Sequence, residues 1–561
     1  MRNESVTGFY SAIRIPKSAF SMSSGSLALV LHAHLPFVRH PEHEEFLEEE
    51  WLFEAITETY LPLIAVMQRL VREEVPFQLT MTVTPTLCAV LQDQLLRDRY
   101  VRYLDRSIDL AAREMERNRD DEPLRRLSEF YHTNFSDCRF RFLACGGDLL
   151  GEFRELRDEG CLEIMATAAT HGLLPLLQRT PEAVRAQILI GCDVYRATFG
   201  ADPAGFWLPE CAYAPGLETI MQEANLRWFI VDAHGLMFGE PRPRRGIYAP
   251  CYTAAGPAAF ARDRDSSRQV WSATEGYPGD PAYREFYRDI GFDLPLEYLR
   301  PGSATGSARK FTGLKYHRIT GRDCEKEIYD PAWAENAADA HAAHFLEVRR
   351  QQMNELRALD FDPIVVAPFD AELFGHWWFE GPRFLESFIR KAAYEDQDLR
   401  LTSKDAYGQQ NFQLTTPTAF LTNHPTQQTV APAASSWGEN GYLGVWLDQS
   451  NSWIYPHLHS AARRMTEVAR AYASNESALT DRVLKQLARE LLLAQSSDWA
   501  FLMKTGTAKH YATKRVTDHL LRFNRLHDEF TSGNLDEGFL SNCEWRDNLF
   551  PDVNWRYYLS C

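Results

Sequence analysis

The sequence predicts an α/β protein: a parallel (β/α) barrel with an inserted helical domain and an all-helical C-terminal domain. Three observations lead there. Short apolar strands recur, and each runs directly into His, Asp or Glu. The first two strands are separated by one helical stretch, the spacing of a βαβ unit in a parallel sheet. From about residue 415 the pattern turns to long amphipathic helices. In a closed parallel barrel all strand C-termini share one face, and function collects there.

Taken in order, residues 1–24 are Ser-rich without a continuous apolar core and are expected to form a disordered extension. The barrel domain is expected over 25–414. Its first strand, 27–31, runs into His32-Ala33-His34-Leu35-Pro36; a helix is expected over 48–73 and an alternating strand over 77–83. Residues 88–159 are charged, helix-prone and poor in strand signals, so they read as the helical insertion. Strands resume at 162–165 before His171, at 206–208 before Glu210, at 228–231 before Asp232 and His234, and at 364–367 before Asp370. The C-terminal domain, 415–561, opens with the Trp437 to Tyr442 loop and continues in helices over 455–474, 477–493 and 508–530.

A chain of 561 residues, 45% hydrophobic and 24% charged, suffices for one large α/β domain plus appendages. The net charge of -17, with no Lys/Arg block, argues against a nucleic-acid partner and suits a neutral polyhydroxyl one. The ten cysteines lack CxxC spacing and are expected as reduced thiols in a cytoplasm; no stretch is apolar enough to span a membrane. A monomer or small homo-oligomer is expected.

Cleaving the acetal between two sugars requires one carboxyl to protonate the leaving oxygen and another to stabilise, or attack, the oxocarbenium-like centre. Glu210 and Asp370 close two separate apolar strands beside aromatic rings, which makes them candidates for nucleophile and general acid/base, respectively. A strand-end carboxylate paired with an Arg is the plainer alternative. His32 and His34 lie on one side of an extended chain, because strand side chains repeat every two residues; with His171 they suit a metal or sugar hydroxyls. Trp377, Trp378, Trp437, Trp446 and Trp453 offer flat faces for pyranose rings, and the surroundings of Trp437 and Trp446 suit a surface cleft. Arg262, in the charged segment ending at Trp271, and the Gly276 to Asp280 turn form a shaped loop.

Together, His32-Ala33-His34-Leu35-Pro36, Thr170-His171-Gly172, Trp207-Leu208-Pro209-Glu210-Cys211, the Phe369 to Trp378 stretch and the Trp437 to Trp446 region resemble glycoside hydrolase family 57, most closely its 1,4-alpha-glucan branching enzyme group. The resemblance implies a seven-stranded (β/α) barrel and a retaining mechanism with no metal or other cofactor. It implies Glu210 as nucleophile, Asp370 as acid/base, His32 and His171 at the cleaved sugar, and Arg262, Gly279, Trp437 and Asp498 as glucan-binding residues. His34, Trp271 and Trp446 join them as expected substrate-binding residues. The group is associated with a tyrosine-bearing loop between the nucleophile and Arg262; here that interval is short, and Tyr248 and Tyr252 are the stand-ins. A loop that fails to exclude water favours hydrolysis, so an alpha-amylase-like hydrolase is the alternative. A metal-dependent hydrolase built on His32, His34, His171 and Asp370, and a glucan-binding protein without catalysis, are the other classes.

Overall fold

The computed structural model describes residues 25–272, 274–300, 309–321, 324–357, 359, 361–402, 412–474 and 477–559; the expected extension, 1–24, lies outside them. Seven parallel strands form its centre: β1 (Ser26–Ala33), β2 (Leu79–Val83), β3 (Leu162–Thr167), β4 (Gly205–Trp207), β5 (Trp228–Val231), β6 (Ala258–Ala261) and β7 (Ile364–Asp370). The hydrogen-bonded order is β6-β5-β4-β3-β2-β1-β7. The Asp263 amide donates to the Val366 carbonyl at 2.8 Å, so the end of β6 meets β7 and the sheet closes on itself. Short strands Cys251–Tyr252 and Gln413–Leu414 flank β6 and β1.

Alternation along the strands divides two cores. Ala28, Val30, Met165, Trp207, Ile230, Phe260 and Val366 fill the barrel interior, whereas Leu27, Leu29, Leu31, Ile164, Phe206, Phe229 and Val365 face the helices. The same parity carries His32 and Asp370 inward at the strand ends, and the register sets them directly opposite each other. Six of the seven strands fall where the apolar runs predict. The exception is Ala258–Ala261, whose Ala-Ala-Phe-Ala sequence carries little strand propensity and is held by its neighbours.

Helices Pro85–Gln92, Gln94–Arg117, Glu122–Ala144 and Leu149–Asp158 fill the interval between β2 and β3. Asp93, Asp121 and Asp148 cap the last three by accepting from the Leu96, Leu124 and Gly151 amides, which fixes where each starts. The helical run between β1 and β2 is interrupted by a π turn, Ile56–Tyr60, a departure often found at functional sites. After β7, residues 428–441 run from the far end of the barrel, bonding to Tyr252, past Glu240 and Tyr213 to its mouth at Glu210, before the C-terminal helices begin at Ile454. Among the described residues no helix is long and apolar enough to cross a membrane, and all nine cysteines are free.

Helix Pro181–Phe199 lies so close to the end of β3 that a Cβ on Gly191 would sit 2.0 Å from the Thr167 carbonyl oxygen. Gly191→Ala is therefore expected to destabilise the fold by about 3 kcal/mol, despite alanine's better helix propensity, measured by urea unfolding.

Candidate active site

Four strand ends and two C-terminal segments build one buried polar cluster. Glu210 follows β4 in a tight turn where it and Cys211 both have left-handed backbone, φ 61° and 52°. Such conformations cost a non-glycine residue of order 1 kcal/mol each. His171 shares this conformation, so three of the seven positive-φ non-glycine residues described lie at the cluster. The turn is held by the Cys211 amide on the Leu208 carbonyl (2.8 Å) and the Trp437 amide on the Glu210 carbonyl (3.2 Å).

The Glu210 carboxyl accepts from Trp437 Nε1 at 2.8 Å and from Ser497 Oγ at 3.4 Å. Burial pushes its pKa up to about 7; the Trp437 bond opposes the rise and the charge of Asp370 adds to it. Burial also raises Asp370 to about 6, against the pull of His34 and Arg262. Among the described residues no hydrogen bond reaches the Asp370 carboxyl. The Asp370 charge thus reaches Glu210 across a half-buried site. The donors around Glu210 favour its anion, but burial outweighs them, so in the free protein Glu210 at about 7 holds its proton more tightly than Asp370 at about 6.

The histidines form a directed chain. Ser497 donates to Glu210, so it accepts from His171 Nδ1 (2.8 Å), and His171 Nε2 then accepts from His32 Nε2 (3.0 Å). Burial lowers both imidazoles well below their usual range, which keeps the chain neutral. His34 differs. Although burial opposes protonation, the charge of Asp498 and its hydrogen bonds at 3.0 and 3.1 Å raise its pKa. In turn, against the cost of burial, His34 and Ser496 hold Asp498 down at about 2.

Glu372, two residues beyond Asp370, accepts from Tyr60 Oη at 2.5 Å and from the His34 amide at 3.0 Å. Tyr60 comes from the π turn, whose Glu58 also receives Arg284 (2.7 Å) and His376 (3.0 Å). Sequence reasoning gave Glu372, Ser497 and Tyr60 no role. Glu372 lies inside the Phe369 to Trp378 stretch and Ser497 beside Asp498, but Tyr60 sits in a helix with nothing in the sequence to set it apart. Arg262 bonds Asp232 (3.3 Å) and Ser267 (3.1 Å), and its guanidinium lies 5.5 Å from the centre of a Trp437 ring.

Not every expected residue joins the cluster. Trp446 is only 2% exposed and packs in the core beneath Gly438, so the expectation of a ring on the cleft surface is corrected; its neighbouring glycines give close packing, not openness. Trp271 is exposed at the end of helix Arg264–Trp271, and Gly279 ends the turn Tyr277–Gly279; among the described residues neither contacts Glu210 or Asp370. Tyr248 and Tyr252 are corrected as lid tyrosines. The Tyr248 carbonyl accepts from Ile364 at the start of β7, and Tyr252 pairs with Ala258 at the start of β6, so both lie at the barrel end away from Asp370. The metal set of His32, His34, His171 and Asp370 is not assembled either. The carboxylate that meets His34 and His171 is Asp498, with ligand atoms within 4.8 Å of one another, and every one of these groups already has a partner.

Because burial raises Glu210, Asp370 and Glu372, the folded state holds their protons after the unfolded chain has released them. Their ease in the fold is complete at low pH and is lost as pH rises from about 4.5 through about 7. Glu210→Gln is therefore expected to raise unfolding stability by about 1–3 kcal/mol at pH 8 and by little at pH 5, read from urea unfolding at the two pH values.

Comparison with known proteins agrees with this geometry. The family model described as glycosyl hydrolase family 57 matches residues 28–433, and one described as 1,4-alpha-glucan branching enzyme, C-terminal, matches 457–558. A 1,4-alpha-glucan branching enzyme of Thermococcus kodakarensis, TK1436, is 34% identical, over 96% of this chain and 79% of that one. Among solved structures, the alpha-amylase AmyC of Thermotoga maritima is 42% identical with a TM-score of 0.87, covering 96% of this chain and 99% of its own. A branching enzyme of Pyrococcus horikoshii is 35% identical with a TM-score of 0.83, covering 96% and 97%. With most of its length matched by the family model and its barrel overlaid by these relatives, the chain belongs to glycosyl hydrolase family 57.

Proposed function

We propose that the protein is a 1,4-alpha-glucan branching enzyme working by double displacement on intracellular, glycogen-like glucan. The observation that carries the chemistry is the half-buried pair Glu210 and Asp370, one carboxyl supplied with donors and the other, among the described residues, with none. Glu210 attacks the anomeric carbon of an α-1,4-linked glucose while Asp370 gives its proton to the departing 4-oxygen. The glycosyl-enzyme is then taken by the 6-hydroxyl of a second chain, whose proton returns to Asp370. The Ser497–His171–His32 chain holds Glu210 in place, and His34 with Asp498 presents a charged edge to sugar hydroxyls. The match of residues 457–558 to a branching-enzyme C-terminal model, together with two branching-enzyme relatives, supports transfer as the outcome.

Hydrolysis is the second reading, favoured by the 42% identity to an alpha-amylase and by the interval after β5. Residues 235–252 are tied by backbone bonds to 428–433, and their two tyrosines lie at the far end of the barrel. No tyrosine of that interval covers the site, so water competes with the acceptor hydroxyl for the glycosyl-enzyme.

Incubation with amylose is expected to build α-1,6 linkages, seen by proton NMR, alongside a measurable release of reducing ends. Release without α-1,6 signal would leave only the hydrolase reading. Asp370→Ala is expected to lower turnover of amylose by about 10²–10⁴ and to be much less damaging for a glucoside whose leaving group needs no proton. Glu210→Ala is expected to abolish both reactions.

A further inference from the structure

Asp232 follows β5 directly and projects inward, as Ile230 does two residues before it. Its side chain is 1% exposed and is shared by three partners. Oδ1 meets His234 Nδ1 at 2.9 Å and Arg264 at 2.7 Å, and Oδ2 accepts from Arg262 at 3.3 Å. The displacement chemistry has no use for this carboxylate, so its value lies in what it holds.

Two arms run from Asp232 to Trp437, the donor to the nucleophile. Along one, the Arg262 guanidinium, tied also to Ser267 Oγ at 3.1 Å, lies 5.5 Å from the centre of a Trp437 ring. Along the other, His234 Nε2 donates to the Gly441 carbonyl at 2.7 Å. That carbonyl also accepts from the Ser436 amide at 2.9 Å, which closes the loop carrying Trp437. Glycine suits the position, because φ is 81° and a Cβ would sit 2.8 Å from His234 Cε1.

Arg262 is the sensitive arm. It extends β6 inward, as Phe260 does, and its charge pulls on Asp370, whose carboxyl receives no hydrogen bond among the described residues. His34 pulls the same way, and Glu210 and Glu372 are the neighbouring acids. A guanidinium carries several donors in a rigid fork and no acceptor, so it pairs with a carboxylate in reach. Once released from Asp232, Arg262 has Asp370 as an open acceptor, and that pair would hold the acid as its anion.

We propose that Asp232 is a positioning residue: it holds the Arg262 guanidinium against Trp437 and off the Asp370 carboxyl, leaving Asp370 free to give up and regain a proton. The role rests on the reading of Asp370 as general acid, and the test separates the two. In the full-length protein, Asp232→Asn keeps the shape of the side chain and removes its charge, with a circular-dichroism melt to check the fold. The Asp370 carboxyl is titrated by carbon-13 NMR of labelled aspartate, assigned with Asp370→Asn; turnover is measured on amylose and on a glucoside whose leaving group needs no proton. The expected result is an Asp370 midpoint lower by about one pH unit, with amylose turned over about tenfold more slowly and the activated glucoside less than about threefold more slowly. Adding Arg262→Gln to the variant is expected to return the midpoint at least to its parental value, because the guanidinium is the agent. An unmoved midpoint overturns the proposal, as does equal slowing on both substrates or a midpoint that stays low in the double variant. If Asp232→Asn does not fold, Ser267→Ala loosens the same guanidinium more gently: a smaller fall in the midpoint supports the restraint, and an unmoved one overturns it. If Asp370→Ala leaves amylose turnover intact, the catalytic reading falls, while the NMR midpoint still decides what Asp232 does.

Discussion

Negative charge buried at the mouth of a closed barrel is the constraint to which the rest of the site answers. Three carboxyls, Glu210, Asp370 and Glu372, are brought together by the inward parity of strand ends, and burial makes every one a weaker acid. An unpaired buried carboxylate is costly, so the surroundings supply donors selectively. Trp437 and Ser497 serve Glu210, Tyr60 and the His34 amide serve Glu372, and among the described residues Asp370 receives no donor. Unequal solvation of two like groups is what divides an acid from a nucleophile.

Most of those donors are remote in sequence from the strands they serve. Ser497 and Asp498 come from the C-terminal helices, anchored where the Ser497 amide meets the His171 carbonyl. Trp437 comes from the segment that reaches the mouth. The barrel alone holds the two carboxyls but not the groups that tell them apart, so the helical domain completes the cluster. The left-handed turns at His171 and Glu210 are stabilised by these same contacts, which places the strain and its restraint at one spot.

Much of this was legible in the sequence because strand alternation and strand-end polarity survive folding unchanged. Residues 27–31 and 364–367 announce both their strands and the side from which His32 and Asp370 project. Histidine spacing, the Glu210 turn and the aromatic loops carried enough pattern to identify the family. What stayed hidden depends on tertiary context. The alanine strand Ala258–Ala261 forms because its neighbours close a ring, not because alanine prefers it. Trp446 beside glycines looks exposed until the glycines let the backbone close over it. Tyr248 and Tyr252 sit in the right interval of the chain, but the interval folds back along β6 and carries them to the wrong end.

The π turn at Ile56–Tyr60 couples two parts of the molecule that sequence treats as separate. Gly375, in the catalytic motif, approaches so closely that a Cβ there would lie 1.7 Å from the Glu58 carbonyl oxygen. The widened turn and the missing side chain are two halves of one fit. Restoring a regular helix by deleting a residue would swing Tyr60 and Glu58 about 100° around the axis, away from Glu372, His376 and Arg284. The motif and the helix are therefore free to vary only in step, as a lock and its key are recut together.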